Sequence, residues 1–227
     1  MYLAIIALGI FGELIVREAL VVGGDAHATA NNISASQLLW RLGIAGDLLM
    51  HILDVPVIVL FYLLLRPISE GLALWVSWIN LVQTCVLGLN KLNLVWPLLL
   101  LGDASYLSSF ALEQRHGLAL LAIKAHAYGF GIGLIFFGVA CLIKGLVMLR
   151  GDYFPKFLGV FFVLVGLSYL INSFAQLLAP QFAALLFPWI LMPAFIGELS
   201  VSLWMIFKGV DLARWQRCIA SRSVANV

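Results

Sequence analysis

Long apolar runs separated by short polar segments make up most of this chain. Six runs reach the length of about 20 residues that a helix needs to cross a bilayer, and they cover roughly residues 2–22, 38–65, 72–101, 116–149, 154–178 and 184–208. The connections contain the Gly, Pro, Asp, Asn and Ser residues that end helices. The pattern predicts an all-α membrane protein, a bundle of six transmembrane helices. The longest connection, residues 23–37, has room for a short surface helix.

Composition supports this prediction and excludes other classes of protein. The 227 residues are 63% hydrophobic and 11% charged, whereas a soluble domain has about 25% charged residues. A net charge of +2 gives no reason to expect nucleic acid as a partner. No basic segment precedes the first apolar run, so a cleaved signal peptide is not expected. The three cysteines lack the spacing of a metal site or a disulfide framework.

Basic residues are distributed unequally between the two ends of the predicted helices. One side carries eight of them: Arg66, Lys144, Arg150, Lys156, Lys208, Arg214, Arg217 and Arg222. The loops of the other side carry Arg115 alone, so the positive-inside rule predicts that both termini are cytoplasmic. We expect one transmembrane domain over residues 1–210 and a basic cytoplasmic tail over 211–227 that contacts membrane lipids. The membrane is the plasma (inner) membrane if the protein is bacterial.

The second apolar run departs from the composition of a lipid-facing helix. It contains Arg41, Asp47, His51 and Asp54, and one ionisable group at the centre of a span costs about 2.5–3.5 kcal/mol to insert. Asp47, His51 and Asp54 are spaced i, i+4 and i+7, so they share one helical face. Arg41 is rotated away from that face. We therefore expect the acidic face to point into the bundle.

Further polar residues occur at similar depth in the other five runs. We interpret five residues as acid/base candidates, namely Glu13, Asp47, Asp54, His126 and Glu198. Nine others are candidates for ligand binding: Arg17, Arg41, Asn90, Lys91, Lys124, Tyr128, Tyr169, Asn172 and Ser173. Such groups are tolerated inside a membrane when they face one another or water. The pattern therefore predicts a polar chamber inside the bundle that opens outward.

Two pairs of charged residues each allow two interpretations. Glu13 and Arg17 are four residues apart and can pair along one helix, either as a structural ion pair or as an anchor for an anionic or carbonyl-bearing ligand. Asp47 and Asp54 are separated by about 10 Å along their helix, so each needs a partner elsewhere. Arg17, Lys91 and Lys124 are the candidates. A contact between one of these cations and an aspartate is either a structural salt bridge between helices or part of a site in which the carboxyl group acts as a general acid.

His126 also has two interpretations. It shares a face with Gly129 and Gly133, and small residues four apart favour close helix packing in membranes. The imidazole is then either a hydrogen-bonding group at a helix interface or an acid/base group, with Ser173 or Tyr169 as a partner.

The sequence was also searched for catalytic and metal-binding sets of residues. Ser173, His126 and Asp47 have the residue types of a catalytic triad, but their spacing does not establish one. Only His51 and His126 are histidines in the interior of predicted spans, which is fewer than the three protein ligands that a catalytic zinc site commonly uses. We predict neither a metal nor another cofactor.

Five segments carry a resemblance to a known family: 11–33 (FGELIVREALVV and GDAHATANNI), 41–55 (RLGIAGDLLMHILDV), 124–138 (KAHAYGFGIGLIFFG), 154–178 (FPKFLGVFFVLVGLSYLINSFAQLL) and 193–210 (PAFIGELSVSLWMIFKGV). The chain resembles a bacterial family of multispanning membrane proteins, domain of unknown function 4386. An apolar residue commonly stands in the family where this chain has His51, so His51 is a weaker candidate for a shared role. The resemblance implies a membrane protein and brings no activity with it.

Three functions fit these observations. The first is a membrane-embedded acid/base enzyme of cyclase, isomerase or hydrolase type that acts on a lipophilic small molecule without a metal. The second is a proton-coupled transporter or channel, although the chain lacks the inverted repeats of many transporters. The third is a non-catalytic ligand-binding or structural membrane protein. The pattern does not predict an oligomeric state.

Overall fold

Helices form all the regular structure in the described part of the chain. The computed structural model describes the backbone of residues 1–225 and the side chains of residues 1–220. Its α-helices are α1 (Tyr2–Ile10), α2 (Glu18–Leu20), α3 (Ala26–Ala35), α4 (Gln37–Leu65), α5 (Glu70–Asn90), α6 (Leu92–Leu100), α7 (Leu112–Arg150), α8 (Lys156–Leu178), α9 (Pro180–Leu186), α10 (Met192–Phe207) and α11 (Leu212–Ala225). A π-helical segment, Phe11–Arg17, joins α1 to α2. The predicted helical class is confirmed for these residues.

Five helices are long and apolar enough to cross a membrane: α4, α5 continued by α6, α7, α8, and the helix Trp189–Phe207 that contains α10. The helical segment before them, residues 2–20, contains three charged residues, Glu13, Arg17 and Glu18. Large apolar side chains remain exposed along the spans, including Leu38 at 71% and Ile52 at 65% on α4. Exposed apolar surface of this extent is typical of helices that face lipid.

Three element boundaries bear on the sequence-based predictions. The connection 23–37 contains a helix as predicted, α3, whose N-terminus is capped by Asp25 accepting from the Ala28 amide at 2.9 Å. The third predicted run is interrupted at Lys91, between α5 and α6. The sixth run, predicted from residue 184, begins as a spanning helix only at Trp189, because Pro188 lacks the amide hydrogen of a helix interior.

The predicted basic tail is helical over Leu212–Ala225. Trp215 and Cys218 of this helix pack against the apolar core of the residues before it. The Cys218 thiol lies 3.3 Å from the Pro67 carbonyl oxygen. The side chain of Arg222 and residues 226–227, which belong to the same prediction, lie outside the described part of the structure.

The chain divides into two compact units. The first comprises residues 1–54 and 85–130, and the second comprises residues 55–84 and 131–227. In the first unit, Val16, Ile33, Trp40 and Leu94 belong to one buried apolar cluster. The Trp40 indole donates a hydrogen bond of 2.9 Å to the Leu94 carbonyl. This contact links α4 to α6 and positions the polar residues that precede Leu94.

In the second unit, α7 and α8 meet along a seam of small residues. A Cβ atom on Gly166 would lie 2.6 Å from the Gly138 carbonyl oxygen, and one on Gly145 would lie 2.6 Å from the Gly159 carbonyl oxygen. The glycines on each helix are seven residues apart, which is two turns, so they stand on one face. Close backbone approach through small residues is a common way for helices to associate in a membrane.

Candidate functional site

Asp47 lies at the centre of a buried ion cluster in the first unit. One of its carboxylate oxygens, Oδ2, accepts a hydrogen bond of 2.7 Å from Arg17 Nη1 and lies 3.0 Å from Lys91 Nζ. The side chains of Asp47, Arg17 and Lys91 are 1%, 10% and 3% exposed. The sequence left Arg17, Lys91 and Lys124 as possible partners of the aspartates. The structure brings the first two to Asp47 and leaves Lys124 exposed.

Glu13 forms the exposed end of the ion cluster. Its carboxylate accepts a hydrogen bond of 2.7 Å from Arg17 Nε, and its side chain is 59% exposed. Both residues belong to the π-helical segment Phe11–Arg17. Segments of this kind are rare in proteins and are frequently found at functional sites. The guanidinium of Arg17 therefore joins an exposed carboxylate to a buried one.

Gly12 permits the close approach of this segment to α4. A Cβ atom at this position would collide with Asp47 Oδ1 and lie 3.1 Å from Arg17 Nη2. Glycine leaves the space in which the aspartate and the guanidinium meet. Gly12 and Arg17 thus form one local arrangement in which the guanidinium reaches Asp47 of α4.

Lys91 connects the ion cluster to His126 on α7. The Lys91 ammonium lies 3.3 Å from His126 Nε2, and the imidazole is 4% exposed. Lys91 stands at the interruption between α5 and α6, next to Asn90, whose side-chain amide donates a hydrogen bond of 2.9 Å to the His126 carbonyl. Asn90 in turn fills the space in front of Gly129, where a Cβ atom would collide with the Asn90 amide. The prediction that the glycine face of His126 meets another helix closely is confirmed at Gly129.

The charges of the cluster balance. Glu13 and Asp47 supply two carboxylates, and Arg17 and Lys91 supply two cations. Burying unpaired charges is costly, and the attraction between partners offsets the loss of hydration only when the geometry is good. The shortest distances in the three ion pairs are 2.7, 2.7 and 3.0 Å. The cluster can therefore exist within a span.

Asp54 and His51 form a separate contact one to two turns further along α4. His51 Nδ1 lies 3.5 Å from Asp54 Oδ2, with side-chain exposures of 5% and 19%. The other ring nitrogen of His51, Nε2, is buried and has no hydrogen-bond partner among the described residues. The two aspartates predicted on one face therefore have different surroundings, and Asp47 is the one that meets two cations.

Three predicted ligand-binding residues have exposed side chains and take no part in the contacts around Asp47. They are Arg41, Lys124 and Tyr128. Tyr128 is 45% exposed although it is two residues from the buried His126. Adjacent positions on a helix point in different directions, so their depth in the span did not determine their orientation.

Glu198 and Tyr169 meet in the second unit. The Tyr169 hydroxyl donates a hydrogen bond of 2.6 Å to Glu198 Oε1. Both residues were predicted as site residues, and the structure joins α8 to α10 through them. Asn172, three residues after Tyr169, is half-buried.

Ser173 is completely buried, and within the described part of the chain its hydroxyl has no hydrogen-bond partner. It stands seven residues after Gly166, which itself stands seven residues after Gly159, so it continues the small-residue face of α8. The Gln176 side chain fills the space in front of Gly131, which continues the matching face of α7. Because residue 173 lies on the face of α8 that packs closely against α7, helix packing explains why this residue is small.

Lys144 has surroundings that the sequence analysis did not predict. The positive-inside argument counted it with the cytoplasmic charges, and the structure shows that its side chain is buried within α7, with 3% exposure. Its ammonium lies 4.9, 5.4 and 5.7 Å from the ring centres of Phe61, Phe137 and Phe162. Cation–π contacts of this kind contribute about 2 kcal/mol or more when they are desolvated. One feature of the sequence indicated that Lys144 lies inside the helix: the helix continues to Arg150, almost two turns further on.

Among the described residues, no group of three or more His, Cys, Asp or Glu side chains is arranged to hold a metal ion. The ion cluster around Asp47 supplies two carboxylates, two cations and the neighbouring imidazole of His126. Such a set can hold an anionic or oxygen-bearing group and can donate or accept protons.

Comparisons with known proteins identify the family. The family model described as "domain of unknown function 4386" matches residues 1–209. The chain is also similar to an archaeal protein of Archaeoglobus fulgidus named "Uncharacterized protein", with 27% identity over 171 residues, which are 75% of this chain and 85% of the relative. No solved structure matches the chain. The protein therefore belongs to the family described as domain of unknown function 4386.

Proposed function

We propose that this protein is a membrane-embedded acid/base enzyme that acts on a lipophilic small molecule. The observation that carries the proposal is the difference in exposure within the ion cluster. Arg17, Asp47 and Lys91 are enclosed, whereas the Glu13 side chain is 59% exposed. A substrate atom can therefore reach the Glu13 carboxylate while the remaining charges hold it in place.

Glu13 is the proton-transfer group in this proposal. Its carboxylate removes a proton from a carbon next to a substrate carbonyl group, and the Arg17 guanidinium, 2.7 Å from Glu13, stabilises the enolate that forms. The same carboxyl group returns the proton to another carbon of the conjugated system, so a double bond moves and no other reactant is needed. The reaction is therefore an isomerisation. Asp47 and Lys91 position Arg17 for this step.

The membrane arrangement belongs to the same proposal. Residues 2–20 form the first of six spans, because the Glu13–Arg17 and Arg17–Asp47 pairs neutralise charges that would otherwise oppose insertion. Both termini are cytoplasmic, and the polar chamber opens on the opposite side. Residues 1–210 act as one transmembrane domain, and the tail contacts anionic lipids. In a bacterium the membrane is the plasma membrane.

Glu13→Gln is expected to lower the turnover of a lipophilic substrate by about 100-fold or more, because general acid/base catalysis contributes about 10²–10⁴-fold. The amide keeps the size of the carboxylate and can still contact Arg17. Purified protein in nanodiscs is supplied with a polar lipid extract and an unsaturated isoprenoid ketone, and isomeric products are separated by liquid chromatography and followed by mass spectrometry. Glu18→Gln, which removes an exposed carboxylate five residues away, is the matched control and keeps the wild-type rate. Unchanged probes with the wild-type protein, or equal rates for Glu13→Gln, contradict the proposal.

A proton-coupled transporter is the second candidate. The contacts from Glu13 through Arg17, Asp47 and Lys91 to His126 form a continuous polar series. Arginine does not lose its proton in proteins, so Arg17 interrupts a relay along this series, and the enzyme is favoured. In proteoliposomes containing a pH-sensitive dye, we expect no proton flux above that of empty vesicles. A flux that Glu13→Gln abolishes and Glu18→Gln preserves favours the transporter instead.

A further inference from the structure

Two histidines that are distant in the sequence meet at one edge of the first unit. His27 belongs to α3 and His116 to the start of α7, and their ring centres are 5.3 Å apart with an angle of 69° between the planes. His27 is exposed, whereas His116 is 7% exposed. Neither imidazole takes part in the ion cluster around Asp47, so the proposed function leaves this pair unexplained.

The separation of the ring centres, 5.3 Å, is close to that of two imidazoles on one metal ion. A metal–nitrogen bond measures about 2.0–2.1 Å, and the ring centre lies roughly 1 Å beyond the nitrogen. Two such ligands at a tetrahedral angle therefore have ring centres about 5 Å apart. The exposed ring of His27 gives an ion access from solvent.

A second residue supports His27 in the manner of a metal ligand. The Asn31 side-chain amide, one turn further along α3, lies 3.1 Å from His27 Nδ1. Amide oxygen and nitrogen are assigned from their contacts, so Asn31 is able to present its carbonyl oxygen to an Nδ1–H group. Histidine ligands usually donate their second ring N–H to such an acceptor. This contact would direct Nε2 of His27 to the metal.

Two charged side chains that are close to the histidines in the sequence are held by contacts with the backbone. The Arg115 guanidinium is turned to the Leu100 and Gly102 carbonyl oxygens at 2.6 Å each. The Asp25 carboxylate caps α3. No third His, Cys, Asp or Glu of the described residues completes a cluster, so water must supply the remaining ligands. Cu²⁺ generally has the highest affinity for imidazole among the divalent first-row ions, whereas the tetrahedral angle used above is the one that Zn²⁺ prefers.

We propose that His27 and His116 form a two-histidine binding site for a divalent transition-metal ion of the Cu²⁺ and Zn²⁺ class. The ion would link α3 to the start of α7, with Asn31 as a positioning residue for His27. The site is independent of the enzyme proposed above, because it shares no residue with the Glu13 and Asp47 cluster.

The test uses the full chain, purified through a tag without histidine and reconstituted in nanodiscs. Cu²⁺ is added in equimolar amount, and electron paramagnetic resonance with electron spin-echo modulation counts the coordinated imidazoles. We expect one tightly held Cu²⁺ with two imidazole nitrogens. His27→Ala and His116→Gln should each leave one imidazole and weaken binding at least 10-fold, and the double variant should bind no better than empty nanodiscs. Asn31→Ala should weaken binding about 10-fold with both imidazoles retained.

Two controls separate a site from adventitious binding and from misfolding. Glu18→Gln removes an exposed carboxylate that does not act on either histidine and should leave the affinity and the spectrum unchanged. Zn²⁺ should raise the thermal midpoint of the wild-type protein and of Glu18→Gln but not that of the double variant, whose midpoint without metal gives its intrinsic stability. A wild-type affinity equal to that of the double variant, or a spectrum with one imidazole, overturns the proposal.

Discussion

Replacing Asp47 with leucine is expected to lower the free energy of unfolding by about 3–5 kcal/mol, the usual cost of removing one partner from a buried ion cluster. The substitution leaves Lys91 without its carboxylate and leaves Arg17 with Glu13 alone. Lys91 and Arg17 are 3% and 10% exposed, so water cannot readily replace the lost oxygens. Unfolding in bicelles, followed by steric trapping, measures the change.

Two further variants identify the cause of that loss. Asp47→Leu combined with Lys91→Met removes one anion and one cation, and Arg17 keeps its 2.7 Å contact with Glu13. We expect the double variant to recover most of the stability, since replacing a complete buried pair by apolar residues is often neutral. Glu18→Gln, on the exposed surface, should change the unfolding free energy by about 0.5 kcal/mol or less. An Asp47→Leu value within that range would mean that the cluster does not hold the first unit together.

The recovery experiment also distinguishes the enzyme from a purely structural cluster. If the polar residues only set the register of the helices, the stable double variant and the wild-type protein differ in no ligand-dependent property. In the proposed enzyme, Asp47 positions Arg17 and thereby Glu13. The stable double variant should then turn over substrate more slowly than the wild-type protein.

The helices themselves were predictable because a spanning helix has a strong local signature. An apolar run of sufficient length ends at residues that break helices, and α4 and α8 begin and end within about two residues of the predicted limits. The helix α3 was also expected between the first two runs. These features depend on neighbouring residues in the chain, so no tertiary information was needed.

The pairing of Asp47 was only partly predictable. Charge and depth reduced its candidates to three cations, but the choice among them depends on how each helix is rotated about its axis. Packing determines that rotation: Gly12 lets the π-helical segment approach Asp47, and the Trp40–Leu94 contact ties α4 to α6 beside Lys91. Lys124 has the charge that a partner of Asp47 needs, but its side chain is exposed and takes no part in the cluster.

The surroundings of Lys144 were not predictable from the sequence. Lysine near the end of a span usually extends toward the interface, so the sequence analysis assigned Lys144 to the cytoplasmic side. Three phenylalanines from α4, α7 and α8 instead surround its ammonium. Those rings come from distant parts of the chain, and only the packing of the second unit brings them together.

Gly166→Ala is expected to destabilise the second unit by about 1–3 kcal/mol, the usual cost of inserting a methyl group into a well-packed interface. The new Cβ atom would lie 2.6 Å from the Gly138 carbonyl oxygen and 2.8 Å from the Leu142 backbone nitrogen. Backbone atoms of a helix cannot rotate aside as a side chain can, so α7 and α8 must separate. The loss is measured as a lower thermal midpoint in detergent and a lower free energy of unfolding in bicelles.

Gly88→Ala supplies the matched control for this effect. Gly88 lies inside α5, and a Cβ atom added there would meet no atom within 4 Å, so the intrinsic helix preference of alanine should leave stability unchanged or raise it by up to about 1 kcal/mol. A second substitution, Gly166→Ser, tests whether a small polar residue fits between α7 and α8 at this position. Ser173, seven residues further along the same face of α8, is a buried serine. Close packing predicts that Gly166→Ser costs at least as much as Gly166→Ala. If both variants at 166 match Gly88→Ala, α7 and α8 are not held together by the approach of their backbones.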